Sequence, residues 1–352
     1  MTRKLLFAKR LMAWYRAHAR DLPWRRTSDP YKVWISEIML QQTTVNAVIP
    51  YYQRWLSEFP TAEHVAKAPL RKVLRLWQGL GYYTRAKNIH KSAKILCASY
   101  GGKIPDDPQE LKELPGFGPY TVGAVLSIAF DQRQPIIDAN VRRVIMRVLA
   151  LKGPAEGSQD KKILAFLDRE MPDKDLRTFN QALMELGALV CRNHNLLCGV
   201  CPVKPQCSAY TKGIQEIIPQ PKKKIIKDIH AAVGILRRGD KYLVQKRPAG
   251  GLLGDLWEFP GGKIEHGELP TTALRRELKE ELDVEVKNLR HLMDLKHFYT
   301  QFRVHLRVFS CDPLSDVRTH KDRRWLTVGH LRKYPMPSGS ARILDRLARI
   351  KV

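Results

Sequence analysis

Hydrophobic and polar positions change their period once along the chain, and the change divides it. Leu5, Leu6, Leu11, Met12 and Trp14 recur at helical spacing, and residues 31–50 carry a stripe of Val33, Trp34, Ile38, Val45 and Val48 on which Glu37 and Gln41 also fall. Leu111–Leu114 closes another helix. Pro115-Gly116-Phe117-Gly118-Pro119 is too short and too rich in glycine and proline to continue it, and Tyr120–Phe130 restarts as a helix of small residues. A basic amphipathic run, Val141–Arg147, and a helix that opens the 174–207 segment follow. Between 208 and 228 the apolar period is lost and Pro219, Pro221, Lys222, Lys223, Lys224 and Lys227 stand out. From Ile229 alternating segments (HAAVGILRR, DKYLVQKR, VHLRVFS) surround one acidic helix, ALRRELKEEL. The pattern predicts an all-α domain over 1–213, a basic linker over 214–228 and an α+β domain over 229–352.

Composition adds a partner. A length of 352 residues supports two cored domains, and 61 Lys and Arg against 35 Asp and Glu leave a formal charge of +26. An excess of that size points to a polyanion, and nucleic acid fits it better than a merely solvated surface. No apolar run reaches 18 residues, so no membrane span is expected. The first 20 residues are basic and free of acid, as a transit peptide would be, but their helical spacing runs directly into RDLPWR and reads as the start of the first domain.

Candidate chemistry begins at the turn. Gly116 and Gly118 let backbone approach a ligand, and the amides at the new helix start offer a phosphate the positive dipole end. Asp138, just before the basic run, falls at a helix N-cap, where amide donors are expected to lower its pKa and hold an anion suited to a cationic transition state. Glu37 lies on an apolar face, where burial is expected to raise its pKa and keep a proton near neutrality. Two carboxylates pushed in opposite directions mark an acid and an anion stabiliser. Cys191, Cys198, Cys201 and Cys207 follow C-x6-C-x2-C-x5-C; zinc usually shows two short-spaced pairs, whereas one compact all-thiolate loop suits a [4Fe-4S] cluster. Cys97 and Cys311 have no motif around them and are expected to be buried.

LPGFGPYT followed by IIDANVRR resembles the helix-hairpin-helix superfamily of DNA glycosylases, and within it the adenine DNA glycosylases; the likeness extends across the chain. The resemblance implies a monofunctional enzyme of base excision repair that removes adenine mispaired with 8-oxoguanine or guanine in double-stranded DNA. Glu37 would protonate adenine, Asp138 would stabilise the oxocarbenium-like sugar, and Tyr120 and Asn140 would position them. Trp24, Arg25 and Gln181 match positions lining the adenine pocket. Gln42 and Tyr82 match the wedge that fills the space of an unstacked base. Gly116, Gly118, Arg142 and Arg143 are the candidate backbone contacts, and the four cysteines match the family's iron-sulfur ligands. A monomer in a bacterial cytoplasm, at the nucleoid, is expected.

GGKIEHGELPTTALRRELKEELDV resembles the Nudix box, G-x5-E-x7-R-E-U-x-E-E-x-G-U with U aliphatic. Gly262, Glu268, Arg276, Glu277, Leu278, Glu280, Glu281 and Val284 fit, and Asp283 replaces the glycine. In the resembled glycosylases this domain inspects 8-oxoguanine through a loop reading Phe-Ser-His; here Tyr299-Thr300-Gln301 keeps a hydroxyl and loses the imidazole. Glu277, Glu280 and Glu281 share a helical face, as a Mg²⁺ site for nucleotide pyrophosphohydrolysis or as an inherited scaffold relieved by Arg275, Arg276 and Lys279. Rival readings remain. An endonuclease III-type glycosylase/lyase would carry Lys in the hairpin where Tyr120 stands, a pyrophosphohydrolase with a DNA-binding half would turn over free nucleotides, and a non-catalytic binder would not need Glu37.

Overall fold

The computed structural model describes residues 6–221, 226–251, 253–299 and 301–349, so Thr300 and the linker residues Lys222, Lys223 and Lys224 lie outside the described residues. Two compact units emerge: Met1–Lys67 with Asn88–Lys223, and Ala68–Lys87 with Lys224–Val352. Helices occupy the first part of the chain: α1 (Leu6–His18), α2 (Pro30–Leu40), α3 (Val45–Glu58), α4 (Ala62–Lys67), α5 (Leu70–Trp77), α6 (Thr84–Ser99), α7 (Pro108–Lys112), α8 (Pro119–Ala129), α9 (Ala139–Val148), α10 (Asp160–Glu170), α11 (Leu176–Leu189) and α12 (Ser208–Thr211). Of these, α5 and the start of α6 belong to the second unit.

The first unit is built on α1, α9, α10 and α11, which bury Phe7, Leu11, Val144, Ile145, Phe166 and Leu183 together. Each such side chain contributes roughly 1.5–3 kcal/mol when removed from water. A smaller cluster of Val33, Ala124, Ile128 and Ile136 ties α2 to α8. Two expectations change here. The helix predicted over 31–50 is two helices, because Gln41 leaves helical geometry, Gln42 takes φ +57° and Thr44 is extended at the start of α3. Four polar residues, two of them β-branched, offer nothing to extend the buried stripe. The segment predicted as linker also folds back onto the first unit: Ile218 is buried, Gln220 N–H donates to the Gly153 carbonyl at 2.9 Å, and Lys227 already opens a strand.

In the second unit a mixed sheet runs β3-β2-β1-β6-β5, with β4 on β1 and β7 on β2. Its strands are β1 (Lys227–Arg238), β2 (Lys241–Lys246), β3 (Trp257–Glu258), β4 (Gly261–Lys263), β5 (Val286–Tyr299), β6 (Phe302–Pro313) and β7 (Arg323–Thr327). Three helices accompany them: α13 (Pro270–Leu282), α14 (Val328–Leu331) and α15 (Ser338–Leu347). Alternation along β1 feeds two cores. Val233 and Ile235 pack with Ile343 and Leu344 of α15, while Ala232 and Leu236 pack with Leu274 and Leu278 of α13. Asp283 ends α13 at φ +54°, taking the left-handed turn that the box glycine would otherwise take.

Candidate active site

Four helices converge on Glu37. It is 5% exposed on α2, and Tyr120, in the first turn of α8, donates its hydroxyl to Glu37 Oε2 at 2.6 Å and lies 3.7 Å from Met184 Sδ of α11. The hairpin between α7 and α8 is locked to the Glu37 helix. Phe117 stacks on Trp34 with centroids 5.3 Å apart, and Gln41 Nε2 donates to Thr121 Oγ1 at 3.2 Å. Gly116 is required at φ +88°, where a Cβ would also meet Asn88 Cβ at 2.9 Å, and Ser92 donates to the Pro115 carbonyl at 2.7 Å. A Cβ at Gly118 would meet nothing, so the entrance to α8 is left open.

Burial pushes the Glu37 carboxyl up to about 7; the Tyr120 hydrogen bond opposes this and the nearby Asp138 charge adds to it. Asp138 corrects the sequence reading. It caps α9 as expected, accepting from Val141 N–H at 2.6 Å, but its pKa is raised, because desolvation outweighs that bond and the one from Asn140. Part of its surface still reaches solvent, yet protein surrounds the carboxyl closely enough for burial to dominate. Asn140 Nδ2 donates to Asp138 Oδ2 at 3.0 Å, while its Oδ1 accepts from Arg143 Nη2 at 2.8 Å, so Arg143 orients the amide that orients the carboxylate. Arg143 is therefore not a free backbone contact. It is buried, with further bonds to the Gly187, Cys191 and Ala139 carbonyls. Arg142 is paired with Asp160 at 2.8 Å. Gly187 makes the arrangement possible: a Cβ there would lie 2.5 Å from Asn140 Cβ.

Arg25 and Gln181 sit in a network that the sequence reading missed. Arg25 Nη1 and Nη2 grip Glu185 at 2.9 and 2.8 Å, Arg20 grips the same carboxylate at 2.9 and 2.6 Å, and Tyr15 donates to Gln181 Oε1 at 2.8 Å. Burial alone would raise the Glu185 carboxyl, but hydrogen bonds from Arg20 and Arg25 outweigh it and hold it at about 2. Glu185 shares the signal that marked Glu37, an acid on an apolar helix face. Trp24 is buried edge-on to Tyr52, at 5.5 Å. The two wedge candidates lie in different units and have one property in common. Gln42 and Tyr82 are exposed non-glycine residues at φ +57° and +48°, a strained backbone of the kind that collects at functional sites.

Cys191, Cys198, Cys201 and Cys207 line one cavity of about 30 Å³. Arg147, which the sequence reading did not single out, is fully buried beside it. Its Nη1 lies 3.2 Å from Cys191 Sγ and donates to the Arg192 carbonyl at 2.6 Å, and its Nε bonds the Ile218 carbonyl at 2.7 Å. All-cysteine donors suit either zinc or an iron-sulfur cluster. Cys311 is buried as expected, whereas Cys97 is partly exposed.

Of Glu277, Glu280 and Glu281, the first and last stay close enough for their charges to interact, while Glu280 does not join them. Glu280 is 60% exposed and turns to Arg276, which also holds Glu268 and Glu277. Glu281 accepts from Gln245 at 2.5 Å, and its neighbours in charge are Glu277 on the same helix and Glu258 of β3, which is held by Arg247 at 2.7 and 2.8 Å. Among the described residues no three His, Cys, Asp or Glu, the four cysteines included, are placed to hold a metal ion. Tyr299 and Phe302 pair at the β5–β6 turn, where the Gln301 carbonyl accepts from Lys227 N–H at 2.8 Å. No described helix is long and apolar enough to cross a membrane.

A helical hairpin locked to a buried acid, with a capping carboxylate close by, defines a base-excision glycosylase, and residues 35–169 match the HhH-GPD superfamily of base excision DNA repair proteins while 231–346 match the NUDIX domain. The fold agrees. A thermostable thymine-DNA glycosylase superposes with a TM-score of 0.53 at 29% identity, over 59% of this chain and 96% of its own, and endonuclease III bound to DNA with 0.51 at 22% identity, over 59% of this chain and 95% of its own. An adenine DNA glycosylase of Buchnera aphidicola subsp. Baizongia pistaciae is 39% identical over 260 residues, 73% of this chain and 74% of its own. One of Rattus norvegicus is 33% identical across 91% of this chain and 74% of its own. The chain belongs to the adenine DNA glycosylase family.

Proposed function

We propose that the chain hydrolyses the N-glycosidic bond of adenine mispaired with 8-oxoguanine or guanine in duplex DNA. One observation carries the reading: a buried glutamate whose carboxyl sits at about 7, fixed by the Tyr120 hydroxyl beside a second carboxylate. Glu37 gives its proton to the extruded adenine, and the bonding electrons leave with the base. Asp138, oriented by Asn140, stabilises the sugar cation, and water completes the hydrolysis. A cation forming next to Asp138 favours its anionic form, which offsets the effect of burial. Trp24, Arg25 and Gln181 shape the base pocket, and Gln42 and Tyr82 fill the vacated stack. Tyr120 in place of an amine supports hydrolysis without strand cleavage. Borohydride should therefore trap no abundant covalent DNA adduct, and an abundant one would favour the lyase reading.

The four cysteines are the ligands of a [4Fe-4S] cluster, which when bound would brace the loop from Val190 to Tyr210. Iron-sulfur absorbance with stoichiometric iron in the purified protein supports this; stoichiometric zinc would overturn it. Inspection of the opposite base falls to the β5–β6 turn, with Tyr299, Thr300 and Gln301. The acidic face of α13 is an inherited scaffold, because Arg276 already holds Glu268, Glu277 and Glu280. Measurable Mg²⁺-dependent hydrolysis of 8-oxo-dGTP, lost in Glu281→Gln, would reverse that assignment. The relatives from Buchnera aphidicola support a bacterial cytoplasm, where a protein acting on genomic DNA meets its substrate. Single-turnover adenine release from duplexes carrying A opposite 8-oxoguanine, G or T tests the whole reading, and equal release from all three would contradict it.

A further inference from the structure

The second unit holds a cavity of about 330 Å³ that none of the chemistry above uses. Arg71 of α5, Lys246 of β2, Lys321, and Arg324 of β7 line it, over Trp257 and Tyr334. Trp257 precedes Glu258 in a strand, so its side chain points away from the acidic face of the Nudix box.

The cations are unevenly neutralised. Of the two acids at the cavity, Asp255 is shared by Lys246 at 2.9 Å and Lys87 at 2.6 Å. Asp322 is the other, and among the described residues Arg71, Lys321 and Arg324 have no carboxylate partner. The two guanidiniums are nevertheless held in place. Arg71 lies 4.9 Å from the Tyr334 ring centroid, Arg324 lies 5.6 Å from that of Trp257, and Arg324 Nη1 donates to the Tyr334 hydroxyl at 3.2 Å. Stacking on aromatic faces orients a guanidinium without using up its charge and limits the entropy lost when it meets an anion. Lys321 supplies an exposed third charge, and its carbonyl accepts from Arg324 Nε at 3.1 Å.

We propose that this cavity binds a phosphate ester, at a site separate from both the base pocket and the Nudix box. Two sources share that chemistry: the backbone of bound DNA and the phosphates of a free nucleotide. The proposal goes beyond the glycosylase reading and does not depend on it.

The test is the salt dependence of duplex binding by the full-length protein and by Arg71→Gln/Arg324→Gln, which removes both charges while keeping polar side chains of similar bulk. If the site takes DNA backbone, the slope of log K against log salt flattens by about 0.9 for each phosphate that the variant no longer neutralises. Arg71→Lys/Arg324→Lys, which retains the charges, keeps most of that slope. Lys321→Gln, which alters an exposed side chain, flattens it alone if the double variant folds poorly. Calorimetric titration with dGTP in the absence of divalent metal forms the second arm. Binding that disappears in the glutamine variant, with an unchanged DNA slope, assigns the site to free nucleotide. An unchanged slope together with no nucleotide binding to the unsubstituted protein overturns the proposal. Adenine release at saturating enzyme, read on the same preparations, should be unchanged, so failure of the glycosylase reading is scored separately.

Discussion

Glu37 is in a state that an unfolded chain would not maintain. Its carboxyl moves from an ordinary 4.5 to about 7 on folding, so between those values the folded chain binds the extra proton and stability falls as pH rises, by about 3 kcal/mol at most. Glu37→Gln removes that dependence. The variant should melt higher than the unsubstituted protein at pH 8 and nearly level with it below pH 4.5, as scanning calorimetry would record; equal melting temperatures at pH 8 would mean that the carboxyl is not destabilised. The same group sets a rate profile. With Glu37 as the acid, single-turnover adenine release should fall about tenfold per unit above its pKa of about 7, and a flat profile to pH 9 would remove it from that role. Glu37 was legible because an acid on an apolar stripe signals burial. Asp138 was legible in position but not in the direction of its pKa shift, since capping is local and desolvation depends on tertiary packing, which no sequence window contains. For Glu185 the opposite holds: its two arginines lie some 160 residues away and reverse the effect of burial.

At the scale of elements, turns and glycines decide the geometry. Gly116 was readable as a required glycine because the turn is short, whereas Gly187 reads as an ordinary helical glycine until α9 is packed against α11. Gly187→Ala forces a Cβ to 3.0 Å from Asn140 Cα and must displace the backbone carrying Asp138. It should cost about 1–3 kcal/mol of stability and lower adenine release more than DNA binding. Chemical denaturation with single-turnover assays checks this, and unchanged release would mean that the α9–α11 approach does not position the carboxylate. Arg147 was hidden in a basic run that reads as DNA-facing; only the fold turns it inward to Cys191. Arg147→Met should reduce iron content and thermal stability together. Full iron occupancy in that variant would separate the arginine from the cysteine loop.

Over the whole molecule the sequence foretold two folds but not how they divide. The all-α and α+β textures are visible as a change of period from 3.6 to 2, yet Ala68–Lys87 packs with the C-terminal unit, and part of the basic linker packs with the N-terminal one. Such long-range choices leave no periodic trace. The charge of +26 is a property of the whole chain and points to its polyanionic partner, but it did not predict which arginines face inward, as Arg143 and Arg147 do. Whether Glu37 and Asp138 act in one bond-breaking step on adenine is decided by single-turnover release from a duplex carrying A opposite 8-oxoguanine, with mispair affinity measured in parallel. Glu37→Gln and Asp138→Asn should each nearly abolish release while binding stays within a few-fold of the unsubstituted chain. Substantial release by either variant would contradict the account.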